Sequence, residues 1–177
     1  METRSNERDE TIRNIEIDME NMRTKVSLIK ANVESQNCGE FPWKIEKWAD
    51  KGRETQNGIK TSIFSDPFKS HKHGYKVCME LYPDGEGVRK GSHLTVFIHI
   101  MRGLFDDILS WPCKLHCTID IINQHTRLVH HSHTVNYEDD PNSSSWMKLK
   151  TDRNYGFGCD FMRLDELSNI ARLISCL

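Results

Sequence analysis

Apolar residues recur along the first part of the chain in alternating steps of three and four. This spacing has a period of 3.5 residues, which is the a/d pattern of a coiled coil. The apolar positions are Ile12, Ile15, Met19, Met22, Val26, Ile29 and Val33. Neither Gly nor Pro interrupts the segment from Glu2 to Cys38, so we predict a helix within residues 1–38. β-Branched residues at both seam positions favour three strands over two, and the alternative is a lone amphipathic helix packed on its own domain.

After Gly39 the pattern changes to short apolar runs, rich in aromatic and β-branched residues, that Gly, Pro, Asn and Asp separate. Such runs are typical of an antiparallel β-sandwich, which we predict for residues 39–177. The predicted strands are Phe41–Trp48, Thr61–Phe64, Tyr75–Tyr82, Leu94–Met101, Leu115–Ile122, Val129–Tyr137 and Phe161–Leu164. Shared helical spacing of Phe105, Ile108 and Leu109 predicts one short helix at Asp106–Ser110.

Charged residues nearly balance, with 24 Lys and Arg against 26 Asp and Glu in 177 residues. The net charge of −2 gives no electrostatic reason to expect nucleic acid or an anionic membrane as a partner. No run approaches the roughly 18 apolar residues of a membrane-spanning helix, and the N-terminus has no apolar signal region. We therefore expect a cytoplasmic protein without membrane insertion, whose six cysteines are reduced.

Nine histidines and six cysteines raise the question of a metal site. A structural zinc site usually shows paired ligand motifs such as two CxxC units, and the sequence contains no CxxC. His116 and Cys117 are adjacent, so on a strand their side chains would point to opposite faces. The sequence also lacks the GxSxG, P-loop, GxGxxG and HExxH motifs. We therefore predict no metal, no cofactor and no catalytic residues, and a protein that is not an enzyme.

Seven short motifs follow one another in the second part of the chain. They are Phe41–Trp48, Ser65–Phe68 with Gly74–Cys78, Leu81–Gly87, Lys90–Thr95, Met101–Gly103, Asp107–Pro112 and Ser143–Trp146. In order and spacing they resemble the TRAF (tumour necrosis factor receptor-associated factor) C-terminal domain of the MATH superfamily. The resemblance includes the heptads, where that family has its trimerising coiled coil. It implies a sandwich of seven to eight strands in a trimeric signalling adaptor that binds short linear peptides in receptor cytoplasmic tails.

The resemblance also implies a peptide groove. Its positions fall on Tyr82, Glu86, Gly87, Phe97, Tyr137, Ser143, Ser144, Ser145 and Gly158. Phe97 and Tyr137 would form the base of an apolar pocket, and the serine hydroxyls would form hydrogen bonds with an amide-bearing side chain such as Gln. Backbone groups near Gly158 would pair with an extended peptide at the sheet edge. The alternative for the serine run is an ordinary polar loop.

Three departures from the family bear on the groove and the fold. The ligand-facing Arg of the family is Glu80 here, and the Ser before the groove glycine is Phe157. A carboxylate at position 80 would repel an acidic ligand residue by about 1 kcal/mol for an exposed pair at about 4 Å, which predicts a preference for a neutral or basic residue. At the C-terminus the final family strand is missing or replaced, because apolar residues there have the spacing of a helix; they are Ile170, Leu173, Ile174 and Leu177.

Two other functions stay open at this point. The first is a MATH-type module that selects substrates for a ubiquitin ligase. The second is a structural or dominant-negative subunit, which joins related full-length TRAF proteins through the coiled coil and, without its last strand, binds no peptide.

Overall fold

The structure is a computed structural model that describes residues 12–23, 25–26, 39–58, 61–123, 129–167 and 172–176. The chain divides into two compact units, Met1–Gln36 and Asn37–Leu177. Helix α1 comprises residues 12–23 and 25–26, whereas the seam positions Ile29 and Val33 lie outside the described residues. No described helix is long and apolar enough to cross a membrane.

The apolar seam of α1 is exposed. Its five described residues are 46–58% exposed, and they are Ile12, Ile15, Met19, Met22 and Val26. Ile17, which lies off the seam, is exposed to a similar degree, at 59%. The seam is therefore an apolar stripe that no described residue covers fully.

The second unit is mainly antiparallel β-structure, as predicted. Its strands are β1 Phe41–Lys44, β2 Ile63–Phe64, β3 Phe68–Lys69, β4 Lys76–Tyr82, β5 His93–Met101, β6 His116–Asn123, β7 Val129–Asn136, β8 Phe157–Arg163 and β9 Arg172–Cys176. Helices α2 and α3 span Trp48–Gln56 and Leu164–Leu167, and single 3-10 turns lie at Gly87–Arg89, Tyr137–Asp139 and Ser144–Trp146.

Two sheets enclose the core. One has the strand order β1-β9-β6-β7, and the other has the order β2-β4-β5-β8 with β3 also paired to β4. Inward side chains of both sheets are almost fully buried, among them Met79, Leu81, Val96, Ile98, Ile119, Ile121 and Val135. Each buried side chain of this size contributes about 1.5–3 kcal/mol relative to exposure. Their strand neighbours face outwards because side chains alternate along a strand.

Two local predictions are wrong. The predicted strand Phe41–Trp48 ends at Lys44, and α2 begins at Trp48. The predicted helix at Asp106–Ser110 is a turn in which the amides of residues 108 and 109 donate to the Phe105 carbonyl at 3.0 and 3.1 Å. The Asp106 carbonyl instead accepts the Trp111 indole N–H at 2.9 Å. Its hydrogen-bond donor is thus a side chain and not the backbone N–H of a following helical turn.

The predicted C-terminal helix is also wrong, because residues 172–176 form strand β9. Ile174 lies opposite Trp43 of β1 and Ile121 of β6, so β9 sits between two partners. A helix here would leave backbone donors and acceptors of both neighbours without a strand partner. A short apolar run does not distinguish a helix from a buried strand by its spacing alone.

The cysteines are not all free thiols. Cys78, Cys113 and Cys159 are free, whereas Cys117 is disulfide-bonded, so the expectation of six reduced cysteines is wrong at that position. Burial raises the pKa of Cys113 and Cys159 to about 12 and that of Cys78 to about 11. Because the reactive species is the thiolate, these three thiols are weak nucleophiles near neutral pH.

The position of β9 leads to a first prediction. Ile174→Pro removes the backbone N–H of a strand with neighbours on both sides, and we expect it to lower the free energy of unfolding by at least about 2 kcal/mol in urea denaturation. Ile174→Val keeps the N–H and should cost less than about 1.5 kcal/mol. Equal stability of the two variants would contradict the central place of β9.

Candidate peptide-binding site

Three strands bring together several predicted groove residues on the outer face of the five-stranded sheet. Glu80 lies opposite Phe97, which lies opposite Gly158, and Tyr82 lies one row further along. The Tyr82 and Phe97 rings meet edge to face, with their centroids 5.6 Å apart. This arrangement forms a continuous surface across β4, β5 and β8.

Two glycines keep this surface open at β8. A Cβ on Gly158 would lie 2.4 Å from the Phe97 ring and from the Val96 carbonyl oxygen. A Cβ on Gly156 would lie 2.8 Å from the His99 ring. The second close approach was not predicted, although the alternating Gly156-x-Gly158 pattern at the start of a strand is a signal for it. The only described partner of β8 is β5, so the other edge of β8 has no described strand beside it.

At one end of the surface, the Tyr82 hydroxyl stays protonated and can donate a hydrogen bond. Burial, followed by the negative charges of Glu80 and Glu86, raises the pKa of Tyr82 to about 12. The phenol therefore keeps its proton at neutral pH. Glu86 itself is exposed, and Gly87 has a φ of +57°, which is favourable for glycine.

Glu80 does not face solvent. It is 8% exposed, and its two carboxylate oxygens have separate partners. Oε1 accepts the Ser62 hydroxyl at 2.6 Å, and Oε2 lies 2.8 Å from His99 Nε2. The Nδ1 of the same imidazole lies 3.1 Å from the Asn154 carbonyl oxygen. The expected repulsion was argued for an exposed carboxylate, and Glu80 is buried and paired. The preference for a neutral or basic ligand residue therefore loses its basis.

The serine run divides into three different environments. Ser145 is buried, and its amide donates to Ser143 Oγ at 3.3 Å, which closes the 3-10 turn. Ser143 Oγ also lies 3.2 Å from Ser145 Oγ. Only Ser144 is exposed. The run is thus a structured turn that presents one hydroxyl.

Two predicted aromatic groove residues belong to a different cluster. Trp146 is 1% exposed, and its ring centroid lies 6.3 Å from that of Tyr137 and 4.7 Å from that of Phe157. Phe157 precedes Gly158 in β8, so its side chain points to the opposite face of the strand from the Phe97 side. Phe157 and Tyr137 therefore pack beneath the serine turn, and their described ring contacts are with Trp146 and not with Phe97.

A cavity of about 660 Å³ adjoins the outer-face surface. Its lining combines Glu80, Tyr82, His99 and Ser144 with residues of the segment after the serine turn, which are Met147, Lys148, Lys150, Thr151, Arg153, Asn154 and Tyr155. This second group of lining residues was not predicted, although the cations at 148, 150 and 153 are a readable signal in the sequence. Among the described residues, no three His, Cys, Asp or Glu side chains converge to hold a metal ion.

The second unit is thus an antiparallel β-sandwich domain with an open surface and a cavity on one sheet. The family model described as TRAF/meprin, MATH domain matches residues 60–173, which is more than half of the chain. The chain therefore belongs to the TRAF/meprin MATH-domain family.

Several curated relatives are similar in sequence. TNF receptor-associated factor 5 of Mus musculus is 36% identical over 121 residues, covering 68% of this chain and 21% of the relative. Human TNF receptor-associated factor 1 is 35% identical over 133 residues, covering 74% and 31%. A solved structure of Notothenia coriiceps TRAF5 superimposes with a TM-score of 0.72 at 21% identity, covering 95% of this chain and 88% of that one. The chain thus spans about a fifth to a third of the length of these curated relatives.

A prediction follows from the close approach at Gly158. Gly158→Ala puts a methyl group against a backbone oxygen and a ring, and we expect it to lower the free energy of unfolding by about 1–3 kcal/mol. Gly52→Ala is the matched control, because nothing lies within 4 Å of a Cβ in that part of α2. It should stabilise the domain by up to about 1 kcal/mol. Thermal melts in which both variants move the same way would contradict this geometry.

A third prediction concerns the Glu80 carboxylate. Glu80→Ala leaves the buried His99 ring and the Ser62 hydroxyl without their acceptor, and it should cost about 3–5 kcal/mol in urea denaturation. Glu80→Gln keeps one acceptor oxygen and should cost less. The exposed Glu138→Ala should stay within about 0.5 kcal/mol of the wild type. A cost for Glu80→Ala no larger than that of Glu138→Ala would show that the pair is not formed.

Proposed function

We propose that this chain is a trimeric signalling adaptor of the cytoplasm that binds short linear peptides in receptor tails or adaptor proteins. The observation that carries the proposal is the outer face of β4, β5 and β8, where an edge of β8 with no described strand beside it lies near the partly exposed rings of Tyr82 and Phe97. Such an edge supplies main-chain partners for an extended peptide, and the neighbouring side chains read alternate ligand residues. The curated relatives are named as TNF receptor-associated factors, which supports a receptor-proximal role.

Self-association supplies the second part of the proposal. The α1 seam exposes five apolar residues with the a/d spacing of a coiled coil, and copies of this chain are the occupant that the heptad pattern fits. Three linked sites of matched spacing raise avidity by roughly 10²–10⁴ over one site. A trimer would therefore bind clustered receptor tails much more tightly than isolated tails.

The structure weakens one alternative. The non-binding subunit was inferred from a missing final strand, and β9 occupies that place between β1 and β6. A peptide-binding role therefore keeps its structural basis.

The peptide site can be tested without knowing a natural ligand. A library of random twelve-residue peptides is selected on the full chain, and enriched peptides are measured as monomers and as streptavidin tetramers. We expect weak monomer binding and at least about a hundredfold gain on tetramerisation. Selection that enriches no sequence would refute the peptide-binding proposal.

Matched substitutions test the assembly. Ile15→Lys places a charge in the seam and should give monomers by light scattering, with loss of the gain from peptide clustering. Ile17→Lys makes the same change two residues away, off the seam, and should leave the trimer intact. A trimer that survives Ile15→Lys would contradict the seam.

A further inference from the structure

The cavity beside the outer-face surface has an unequal charge distribution. Lys148, Lys150 and Arg153 belong to its lining, and the only carboxylate among its lining residues, all of which are described, is Glu80. Glu80, Tyr82 and Ser144 are shared with the predicted peptide groove, so the cavity continues that groove. A ligand segment lying over the groove would thus pass three cationic side chains.

Glu80 can offset at most one of these cations. Its carboxylate is moreover engaged within the sheet, since Oε1 accepts the Ser62 hydroxyl at 2.6 Å and Oε2 lies 2.8 Å from His99 Nε2. With three cationic side chains and one carboxylate in its lining, the cavity wall has a net positive charge.

The backbone that carries the cations is anchored. The Asn154 side-chain amide donates to the carbonyls of Ser145 and Met147 at 3.1 and 2.6 Å. The Asn154 main-chain N–H donates to the Ile100 carbonyl of β5 at 2.9 Å. These bonds tie the segment from the serine turn to residue 154 onto the sheet. The backbone that carries the cations is thus in place at the cavity before any ligand arrives, which lowers the entropic cost of binding.

The cationic side chains are also available to a ligand. The exposed Arg153 stacks its guanidinium over the Phe64 ring, 4.2 Å from the ring centroid, and also interacts with the Cys78 thiol, which leaves further N–H donors of its five for a ligand. Lys148 contacts Asp107 at 2.9 Å, but Asp107 is 95% exposed in its side chain, and such a surface pair contributes little. A ligand anion can replace Asp107 at small cost. Ser144 and Thr151, which also line the cavity, add neutral hydroxyl donors.

We propose that this cavity is an anion-accepting subsite, in which Lys150 and Arg153 bind a carboxylate or phosphoryl group on a residue of the bound peptide. The inference rests on the proposed peptide-binding function and deepens it. It reverses the ligand preference expected from Glu80 in the sequence, because that carboxylate is occupied by His99 and Ser62.

The test uses peptides enriched from the random twelve-residue library on the full chain. In each of three peptides, every acidic residue is replaced singly by its amide, and the position most sensitive to charge is then made Glu, Gln, phosphoserine or Ser. We expect Glu to bind about fivefold more tightly than Gln, with phosphoserine at least as tight as Glu because it carries more charge. The charge-dependent gain should vanish in the double variant Lys150→Gln with Arg153→Gln.

The matched control is Lys72→Gln with Lys114→Gln, which removes the same charge from exposed positions outside the cavity lining and should keep the gain. Tight binding of phosphoserine alone would support the subsite and identify phosphate as the anion. Equal binding of Glu, phosphoserine and their neutral counterparts would overturn the subsite while leaving peptide binding intact. Persistence of the gain in the cavity variant, or its loss in the control, would likewise overturn it. A library that yields no binder would instead refute the peptide-binding proposal on which the subsite rests.

Discussion

The register of β4, β5 and β8 is the constraint on which the domain depends. Because side chains alternate along a strand, the same register that buries Met79, Leu81 and Val96 places Glu80 and Phe97 on the outer face. A slip of one residue would exchange the two sets and lose both the core and the site. The positions of the side chains on the candidate ligand surface are therefore fixed by packing of the opposite face against the core. Contacts among the outer side chains are not needed to set the register.

On the outer face, the buried carboxylate of Glu80 is tolerated because it is paired. Glu80 is buried at a cost that its bonds to Ser62 and His99 offset, since an unpaired buried carboxylate would be strongly destabilising. His99 in turn contacts the backbone at Asn154, and Asn154 holds the turn that contains the three serines. A chain of hydrogen bonds thus links β4 and β5 to the serine turn. The order of this surface depends on the whole network and not on one residue.

The fold class and several strands could be predicted from the sequence, because alternating apolar runs and turn residues are local signals. The structure of residues 172–176 could not, because β9 is specified by its neighbours β1 and β6, which are distant in sequence. The groove positions Tyr82, Phe97 and Gly158 do lie together, since their strand register is regular. Two outcomes could not be read locally, because they depend on tertiary partners: Phe157 packs against Trp146, and Glu80, although it lies on the outer face, is buried against His99.

Gly156, just before β8, and Gly158, within β8, bear on how a peptide would be recognised at this edge. A strand that pairs with β8 would place every second side chain on the outer face, at intervals of about 6.6 Å. Side chains on that face would lie beside Gly156 and Gly158, where the absence of a Cβ already leaves room for the Phe97 and His99 rings. The intervening side chains would point towards the other side of the sheet. A peptide bound here would therefore be recognised through alternate residues, and the cavity with its cations lies beside the face on which those residues would project.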